Sequence, residues 1–181
     1  YVFGAAATDI VNIIIDYPGV VSENNEITSG ATSTINNCIP NLLITLGTTF
    51  NLGNQRTVNN LVNSGTLSIG ANFTAQDVTL NNGTLTDAST GKNFIVFGNI
   101  TGPGTHTGTG RLRLAGVNKS ISNIQSDSLE IATILPSTSP PIITAGSDLT
   151  IKGLNLTSGT FNDGGKVITV SGGITAGGGT Y

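Results

Sequence analysis

Charge and sulfur are scarce in this sequence of 181 residues. It has one cysteine and no methionine or tryptophan, and charged residues make up only 9% of it, against about 25% in an average soluble protein. The single cysteine, Cys38, can form neither an intramolecular disulfide nor a thiolate metal cluster, and we interpret it as a small buried hydrophobic residue. With 7 Lys and Arg and a net charge of −3, the chain is also a poor candidate for nucleic-acid binding.

Long apolar runs are missing as well. The longest, around Ile10 to Ile15, is interrupted by Asn12 and is far shorter than the ~20 residues of a membrane-spanning helix. We therefore expect no transmembrane segment. The chain begins at Tyr1 without a charged region followed by an apolar one, so we expect that any export signal has been removed or lies upstream.

Glycine, threonine, asparagine and serine are abundant, and the apolar residues are largely Ile, Val and Leu. The mean hydropathy is +0.17, which favours burial over disorder, and the apolar residues recur at strand spacing. The composition therefore predicts ordered β-structure with a polar but mostly uncharged surface.

One stretch of the chain is nearly repeated. Residues 78–105, VTLNNGTLTDASTGKNFIVFGNITGPGT, are matched by residues 154–180, LNLTSGTFNDGGKVITVSGGITAGGGT. Such self-similarity is typical of solenoid proteins. Tyr181 aligns with Thr107, which puts the counterpart of the strand at 111–114 beyond the last residue, so we expect a longer parent protein.

Short apolar triplets recur about every 16 to 20 residues, the spacing of one turn of a three-sided β-solenoid. In Leu112-Arg113-Leu114 and Leu129-Glu130-Ile131, alternation puts the apolar pair inside and the polar residue on the outer face. We expect eight triplets to stack on one face. They are Leu42 to Leu46, Leu67 to Ile69, Val78 to Leu80, Phe94 to Phe97, Leu112 to Leu114, Leu129 to Ile131, Leu149 to Ile151 and Val167 to Val170.

We therefore predict an all-β fold, a right-handed parallel β-helix or β-solenoid that forms one stack over residues 1–181. Two segments are expected to leave the stack as loops, the Gly- and Thr-rich 102–110 and the proline-rich 136–141. Asparagine pairs such as Asn59-Asn60 and Asn81-Asn82 suit the corners, because asparagine tolerates left-handed backbone and its amide can bond to the amide one coil above.

No catalytic constellation is evident, and we predict no catalytic, cofactor-binding or metal-binding residue. The only histidine, His106, has no Cys, Asp or Glu near it in sequence, so we interpret it as a solvated loop residue. The G-x-S-x-G motif of a serine hydrolase is also missing. Outward threonines such as Thr105 and Thr107 resemble ice-binding arrays, but regular threonine spacing across successive coils is not evident.

The acidic residues allow one alternative. Asp87 and Asp163 match in the repeat but lie about four coils apart, roughly 19 Å, beyond the roughly 5 to 9.5 Å of a glycosidase pair, and Asp163 is more simply a turn residue. Asp127, Glu130 and Asp148 could lie on adjacent coils, since SDSLEI and SDLTI align approximately. No calcium-loop motif supports a Ca²⁺ or acid site there, and solvated corners are the other interpretation.

Several stretches resemble a known family. They are GTGRLRLAGVNKSISNI followed by SLEI, NLVNSGTLSIGANFT, INNCIPNLLITLGTTFNL and the opening TDIVNIII. They are similar to the β-strand repeats of large secreted surface proteins of the Bacteroidota, and also to the passengers of autotransporters. The resemblance implies a parallel β-solenoid, export to the cell surface or medium, and use in adhesin stalks or filaments. A Trp-containing segment before TDIVNIII and the C-terminal sorting domain of the type IX secretion route are not among these residues.

We therefore expect a non-enzymatic structural or adhesive segment of a large bacterial cell-surface or secreted protein, without a cofactor. An open solenoid end presents unpaired strand edges, so its expected partners are further coils of the same longer chain or other copies end to end, with surface glycans as a further possibility. The alternative is a polysaccharide-binding or polysaccharide-cleaving solenoid whose site uses Asp127, Glu130 and Asp148.

Overall fold

The computed structural model describes residues 13–15, 19–22, 38–53, 55–87, 91–135 and 137–181. These residues form 18 β-strands and no α-helix. The strands are β1 Ile13–Ile15, β2 Gly19–Ser22, β3 Cys38–Ile44, β4 Thr48–Leu52, β5 Arg56–Asn63, β6 Thr66–Ile69, β7 Phe73–Leu80, β8 Gly83–Asp87, β9 Phe94–Val96, β10 Ile100–Thr101, β11 Gly104–Thr107, β12 Leu112–Leu114, β13 Lys119–Ile121, β14 Ile124–Ile131, β15 Ile142–Ala145, β16 Leu149–Leu156, β17 Thr160–Asn162 and β18 Ile168–Ala176.

Every pairing between these strands is parallel, and each strand pairs only with strands one coil before or after it. Leu42, for example, pairs with Leu61, which pairs with Val78, which pairs with Ile100. The chain is therefore a parallel β-solenoid of about 7 turns, which confirms the predicted fold class. The right-handed sense of the coils stays a prediction.

The paired segments form three columns, which we call faces A, B and C. Face A comprises residues 38–39, 56–58, 73–75, 94–96, 112–114, 129–131, 154–156 and 174–176. Face B comprises 13–15, 42–44, 61–63, 78–80, 100–101, 119–121, 143–145 and 160–162. Face C comprises 19–22, 48–52, 66–69, 83–87, 104–107, 124–126, 149–151 and 168–170. Long strands such as β5 and β14 run across a corner from one face to the next.

The coils vary in length more than the sequence predicts. One coil takes 17 residues from Leu61 to Val78, whereas the coil from Leu129 to Leu154 takes 25. The extra residues lie mainly between β14 and β15, where the described residues form no strand. This is the predicted proline-rich loop at 136–141, and residue 136 itself lies outside the described ranges. The chain rejoins the stack at Pro141, whose carbonyl accepts a hydrogen bond from the Thr160 amide at 2.8 Å.

The prediction that residues 102–110 leave the stack is wrong. Strand β11 lies inside it, with Thr105 paired to Thr84 in one neighbouring coil and to Gln125 in the other. The glycines of this segment serve close packing rather than loop flexibility. A Cβ at Gly102 would lie 2.1 Å from the carbonyl oxygen of Leu80, so only glycine fits where two coils approach this closely.

The eight apolar triplets do not share one face, contrary to the prediction. Those that begin at Phe94, Leu112 and Leu129 stack on face A, while the others are spread over faces B and C. The physical reason is that all three faces bury alternate residues against the same core. The triplet pattern therefore marks a strand without indicating its face.

The internal repeat is also displaced by one face. Residues 78–87 run from face B to face C, whereas the matching residues 154–163 run from face A to face B. Residues 100–101 on face B likewise match residues 174–175 on face A, so the whole repeated stretch, which is longer than one coil, is turned by one face.

The interior is one continuous column of apolar side chains from Leu42 to Phe161, with Ile168 and Val170 packed against it. Phe73 and Phe94, paired in adjacent coils, meet edge to face with ring centroids 5.9 Å apart. Each buried Leu, Ile or Val contributes about 1.5 to 3 kcal/mol, so the stack is stabilised mainly by contacts between coils.

Asparagines stabilise the corners, as predicted. The Asn60 side-chain amide donates to Asn41 Oδ1 in the neighbouring coil at 2.8 Å, and Asn82 has a left-handed φ of 59°. Asn63 was not anticipated. It is fully buried, donates from Nδ2 to the Thr84 carbonyl at 2.9 Å and accepts from the Gly65 amide at 3.0 Å. The side chain of Cys38 lies outside the described part of the structure, so its interpretation stays a prediction.

Candidate functional site

The structure does not bring Asp127, Glu130 and Asp148 together. Since Gln125 pairs with Thr150, the register places Asp148 beside Asn123 rather than beside Asp127. Asp127 accepts from the Gly108 amide at 3.1 Å, and Asp148 accepts from the Val167 amide at 2.9 Å. The alignment of SDSLEI with SDLTI is therefore wrong, and Asp127 and Asp148 each tie down the backbone of a neighbouring coil.

Asp87 and Asp163 lie four coils apart, as predicted, because the coils that contain them begin on face A at residues 73 and 154. Asp163 is a turn residue, and its Oδ1 accepts from the Gly165 amide at 2.7 Å. Asp87 holds the corner at 108–111 in the next coil, where it accepts from the amides of Thr109 and Gly110 and from the Thr109 hydroxyl. It also accepts from the amide of Gly91, four residues further along its own coil. Burial raises its pKa, but these hydrogen bonds outweigh burial and hold the pKa below the usual value.

Glu130 forms an ion-pair cluster with Arg111 and Arg113 on the outer side of face A, which we call the Arg–Glu cluster. Arg113 pairs with Glu130 in the register of β12 and β14, and its Nε donates to Glu130 Oε2. Arg111 Nη1 and the Thr157 hydroxyl both donate to Oε1, at 3.0 and 2.7 Å. Glu130 thus links three successive coils, and its side chain is only 2% exposed.

The pKa of Glu130 is below its usual value even though it is buried. Burial raises the pKa, but the hydrogen bonds from Thr157 and Arg113 and the charges of Arg113 and Arg111 together outweigh it. The sequence places Arg113 and Glu130 as outward middle residues of two triplets 17 positions apart, one short coil. This spacing is the sequence signal from which the contact between the two side chains could have been predicted.

His106 is not a solvated loop residue, and that interpretation is wrong. It lies in β11 with 1% exposure, because the middle position of Thr105-His106-Thr107 faces the core. Its Nδ1 lies 3.0 Å from Ser126 Oγ, and its ring meets Phe94 edge to face at 5.7 Å. Nε2 has no hydrogen-bond partner in the described structure. Burial lowers the pKa to about 4, against a smaller upward effect of Asp127 and Asp87, so the ring is neutral at pH 7.

A cavity of about 320 Å³ opens beside the Arg–Glu cluster. It lies at the corner that leads into face A, and its lining is mostly polar. The lining residues are Gly91, Asn93, Thr109, Gly110, Arg111 and Arg113. Asn93 Oδ1 accepts from the Arg111 amide at 3.2 Å, which fixes one side of the opening.

Threonines are regularly spaced on face C, contrary to the prediction. Four coils place a threonine at the same outward position, and a second polar residue lies two positions further along each strand; we call the eight residues the face C array. They are Thr49, Thr66, Thr84 and Thr105, with Asn51, Ser68, Thr86 and Thr107 beside them, and Ser68 is the buried member of the array at 8% exposure. The hydroxyls of Thr84 and Thr105 lie 3.2 Å apart. Because corners and coil lengths vary, the register is visible only in the structure.

Strand β18 exposes apolar side chains at positions that are buried elsewhere. Ile174 pairs with Leu154, which is fully buried, yet Ile174 is 60% exposed. Tyr181 is 63% exposed and packs on Phe161 with ring centroids 5.9 Å apart. The side chains of Ile174 and Tyr181 are therefore exposed, although Ile174 occupies a position that is buried in the neighbouring coil.

Within the described ranges, no three His, Cys, Asp or Glu side chains are grouped so that they could hold a metal ion. No helix in the described part of the chain is long and apolar enough to cross a membrane. Comparison with protein-family models, curated proteins and solved structures finds no match for this chain.

Proposed function

We propose that this chain is a non-enzymatic structural or adhesive segment of a large bacterial cell-surface or secreted protein. The observation that carries the proposal is the parallel stack of about 7 turns, whose described residues form one continuous apolar core and pair strand by strand between neighbouring coils. The acids support the same conclusion, since Asp87, Asp127, Glu130 and Asp148 all accept hydrogen bonds that hold neighbouring coils together.

Intact mass and electron microscopy of the native particle test this proposal. We expect a polypeptide much larger than 181 residues or an elongated fibre, with no release of reducing ends from a panel of polysaccharides. A compact monomer of this size that cleaves a polysaccharide would contradict the proposal and support the enzymatic alternative.

A polysaccharide-binding role is the second candidate, and the face C array favours it. The array is uncharged and rich in hydroxyls, and its coils repeat about every 4.8 Å. A regular surface of this kind can hydrogen-bond repeatedly to an ordered polysaccharide chain, and many weak contacts add up along it.

Co-sedimentation with insoluble polysaccharides such as cellulose and chitin tests this role. We expect the double variant Thr84→Lys, Thr86→Lys to lose binding, because two long charged side chains would stand in the middle of the array. The double variant Thr79→Lys, Thr144→Lys, at two outward positions on face B, adds the same two charges and is the matched control. It should bind like the unmodified chain. Equal binding by all three proteins would remove the array from consideration.

A further inference from the structure

We propose that the cavity beside the Arg–Glu cluster binds the oxyanion of an acidic saccharide, a carboxylate or a sulfate ester. This goes beyond the proposed function, because a structural stack needs no ligand. The inference rests on the charges, the unused hydrogen-bonding groups and the lining of this one corner.

The guanidinium groups of the Arg–Glu cluster have N–H donors that bind no other group in the described structure, whereas every oxygen of the nearby carboxylates of Glu130 and Asp87 accepts a hydrogen bond. Each guanidinium carries five N–H donors. In the described structure Arg111 uses one on Glu130 and Arg113 uses its Nε on the same side chain. Both oxygens of Glu130 and both oxygens of Asp87 already accept hydrogen bonds. The unmet hydrogen-bonding capacity at the cavity is therefore of the donor kind, which suits an anion.

The charge of the Arg–Glu cluster itself points the same way, because two guanidinium groups share one carboxylate there. Asp87 and Asp127 also lie at this corner, where their carboxylates accept hydrogen bonds from the amides of residues 108–110, and Lys92 lies next to the lining residues Gly91 and Asn93 in sequence. The positive excess is therefore confined to the two guanidinium groups and is not a property of the whole corner.

The guanidinium groups are held in place before any ligand arrives. Glu130 is buried and fixed by Thr157 from the next coil, so both arginines are anchored on a rigid strand. They remain accessible, with side chains 47% and 27% exposed for Arg111 and Arg113. Planar guanidinium groups match the two oxygens of a carboxylate or sulfate in bidentate geometry, and anchoring reduces the entropy lost on binding.

The rest of the lining favours a saccharide over an apolar anion. Asn93 offers the N–H donors of its side-chain amide to sugar hydroxyls, whereas the Thr109 hydroxyl is already engaged by Asp87 and by the Gly91 amide. The volume of about 320 Å³ is at the lower end of small-molecule sites. The two glycines of the lining differ in their surroundings. Gly110 packs closely against the Lys92 carbonyl, where a Cβ would not fit, whereas Gly91 faces open space.

Calorimetric titration of the 181-residue chain at low salt tests the proposal with three probes, trigalacturonate, a sulfated galactose oligosaccharide and neutral galactotriose. We expect one or both acidic probes to bind and the neutral one to bind at least about tenfold more weakly. Whichever acidic probe binds more tightly identifies the oxyanion. Equal affinity for the neutral probe, or no binding by either acidic probe, would overturn the proposal.

Three variants locate the site. Arg111→Gln should weaken binding of the acidic probe about tenfold, the effect of one charge-assisted hydrogen bond, and Arg111→Lys should restore only part of it because lysine cannot bind in a bidentate way. Lys166→Gln makes the same charge change at the exposed turn near Asp163 and should bind normally. Arg111 is half exposed, so its variants are expected to fold, which thermal melting checks. Equal losses in Arg111→Gln and Lys166→Gln would show a general charge effect and refute the site.

Discussion

Protonation of His106 would place a charge in the core beside Phe94 and Ser126. The folded-state pKa of about 4 lies below the unfolded value of about 6.5, so the unfolded chain binds this proton more readily. The free energy of unfolding is therefore unaffected by protonation of His106 above pH 6.5 and falls as the pH drops towards 4. Each pKa unit of difference between the folded and unfolded states corresponds to about 1.4 kcal/mol, so the total loss of stability is about 3 kcal/mol.

The variant His106→Leu tests this effect. Leucine is a suitable replacement for the core, since the residue paired with His106 in the neighbouring coil is the buried Leu85. We expect the free energy of unfolding of the variant to be nearly flat between pH 4.5 and 6.5, where that of the unmodified chain rises steeply. Urea unfolding at several pH values measures both curves. Parallel curves would show that the imidazole does not titrate in the core.

Glu130 gives a second pH-dependent contribution with a different range. Its folded-state pKa is lowered, so its stabilisation is present above the unfolded value of about 4.3 and is lost as the pH falls below it. We expect Glu130→Gln to lower the free energy of unfolding by about 2 kcal/mol at pH 7, because three donors lose a charged acceptor. The difference between the variant and the unmodified chain should shrink as the pH falls through the lowered folded-state pKa of Glu130. A difference that stays constant with pH would contradict the ion-pair explanation.

At the scale of the strand and corner, two kinds of glycine are distinguishable. Gly110 packs on the Lys92 carbonyl, whereas Gly165 has a φ of +75° and faces open space. We expect Gly165→Ala to destabilise by about 1 kcal/mol, the cost of left-handed backbone. Gly110→Ala should cost clearly more, because the backbone must move to relieve the contact. Thermal unfolding of the two variants measures the difference, and similar losses would mean that the corner at 110 adapts easily.

The same scale shows what the sequence can and cannot predict. Alternation in Leu112-Arg113-Leu114 and Leu129-Glu130-Ile131 is local, so the strands and the buried leucines were predictable. Which strand lies beside which depends on corner length, which ranges from short turns to the loop after β14. His106 was misassigned for this reason, since glycine and threonine around it resemble a loop unless the pairing of β11 with β8 is known. The Arg–Glu cluster and the face C array likewise depend on pairing between coils.

For the whole molecule, stability is approximately a sum over coils and the contacts between neighbours. Deletion of residues 61–77 removes one complete coil, because Leu61 pairs with Val78 and the join preserves the register. We expect this shortened chain to fold with the same β-structure content per residue and a lower unfolding temperature. Circular dichroism and thermal melting provide both quantities.

Deletion of residues 61–69 is the control. It removes the segments of faces B and C from one coil, so that two segments of face A follow each other directly in the chain. Successive segments of face A can stack only if the chain between them passes through faces B and C. We expect this variant not to form a cooperative fold. If both deletions folded equally well, the three-face assignment would be incorrect.

The displacement of the internal repeat by one face has a consequence for how such a chain can grow. Because the three faces accept the same alternation, a duplicated stretch of gene need not encode a whole number of turns. It need only begin and end at corners, and the inserted polypeptide resumes winding wherever it re-enters. Two segments copied from one ancestor can then lie on different faces of the solenoid, so that similar sequences do not occupy equivalent positions around the axis.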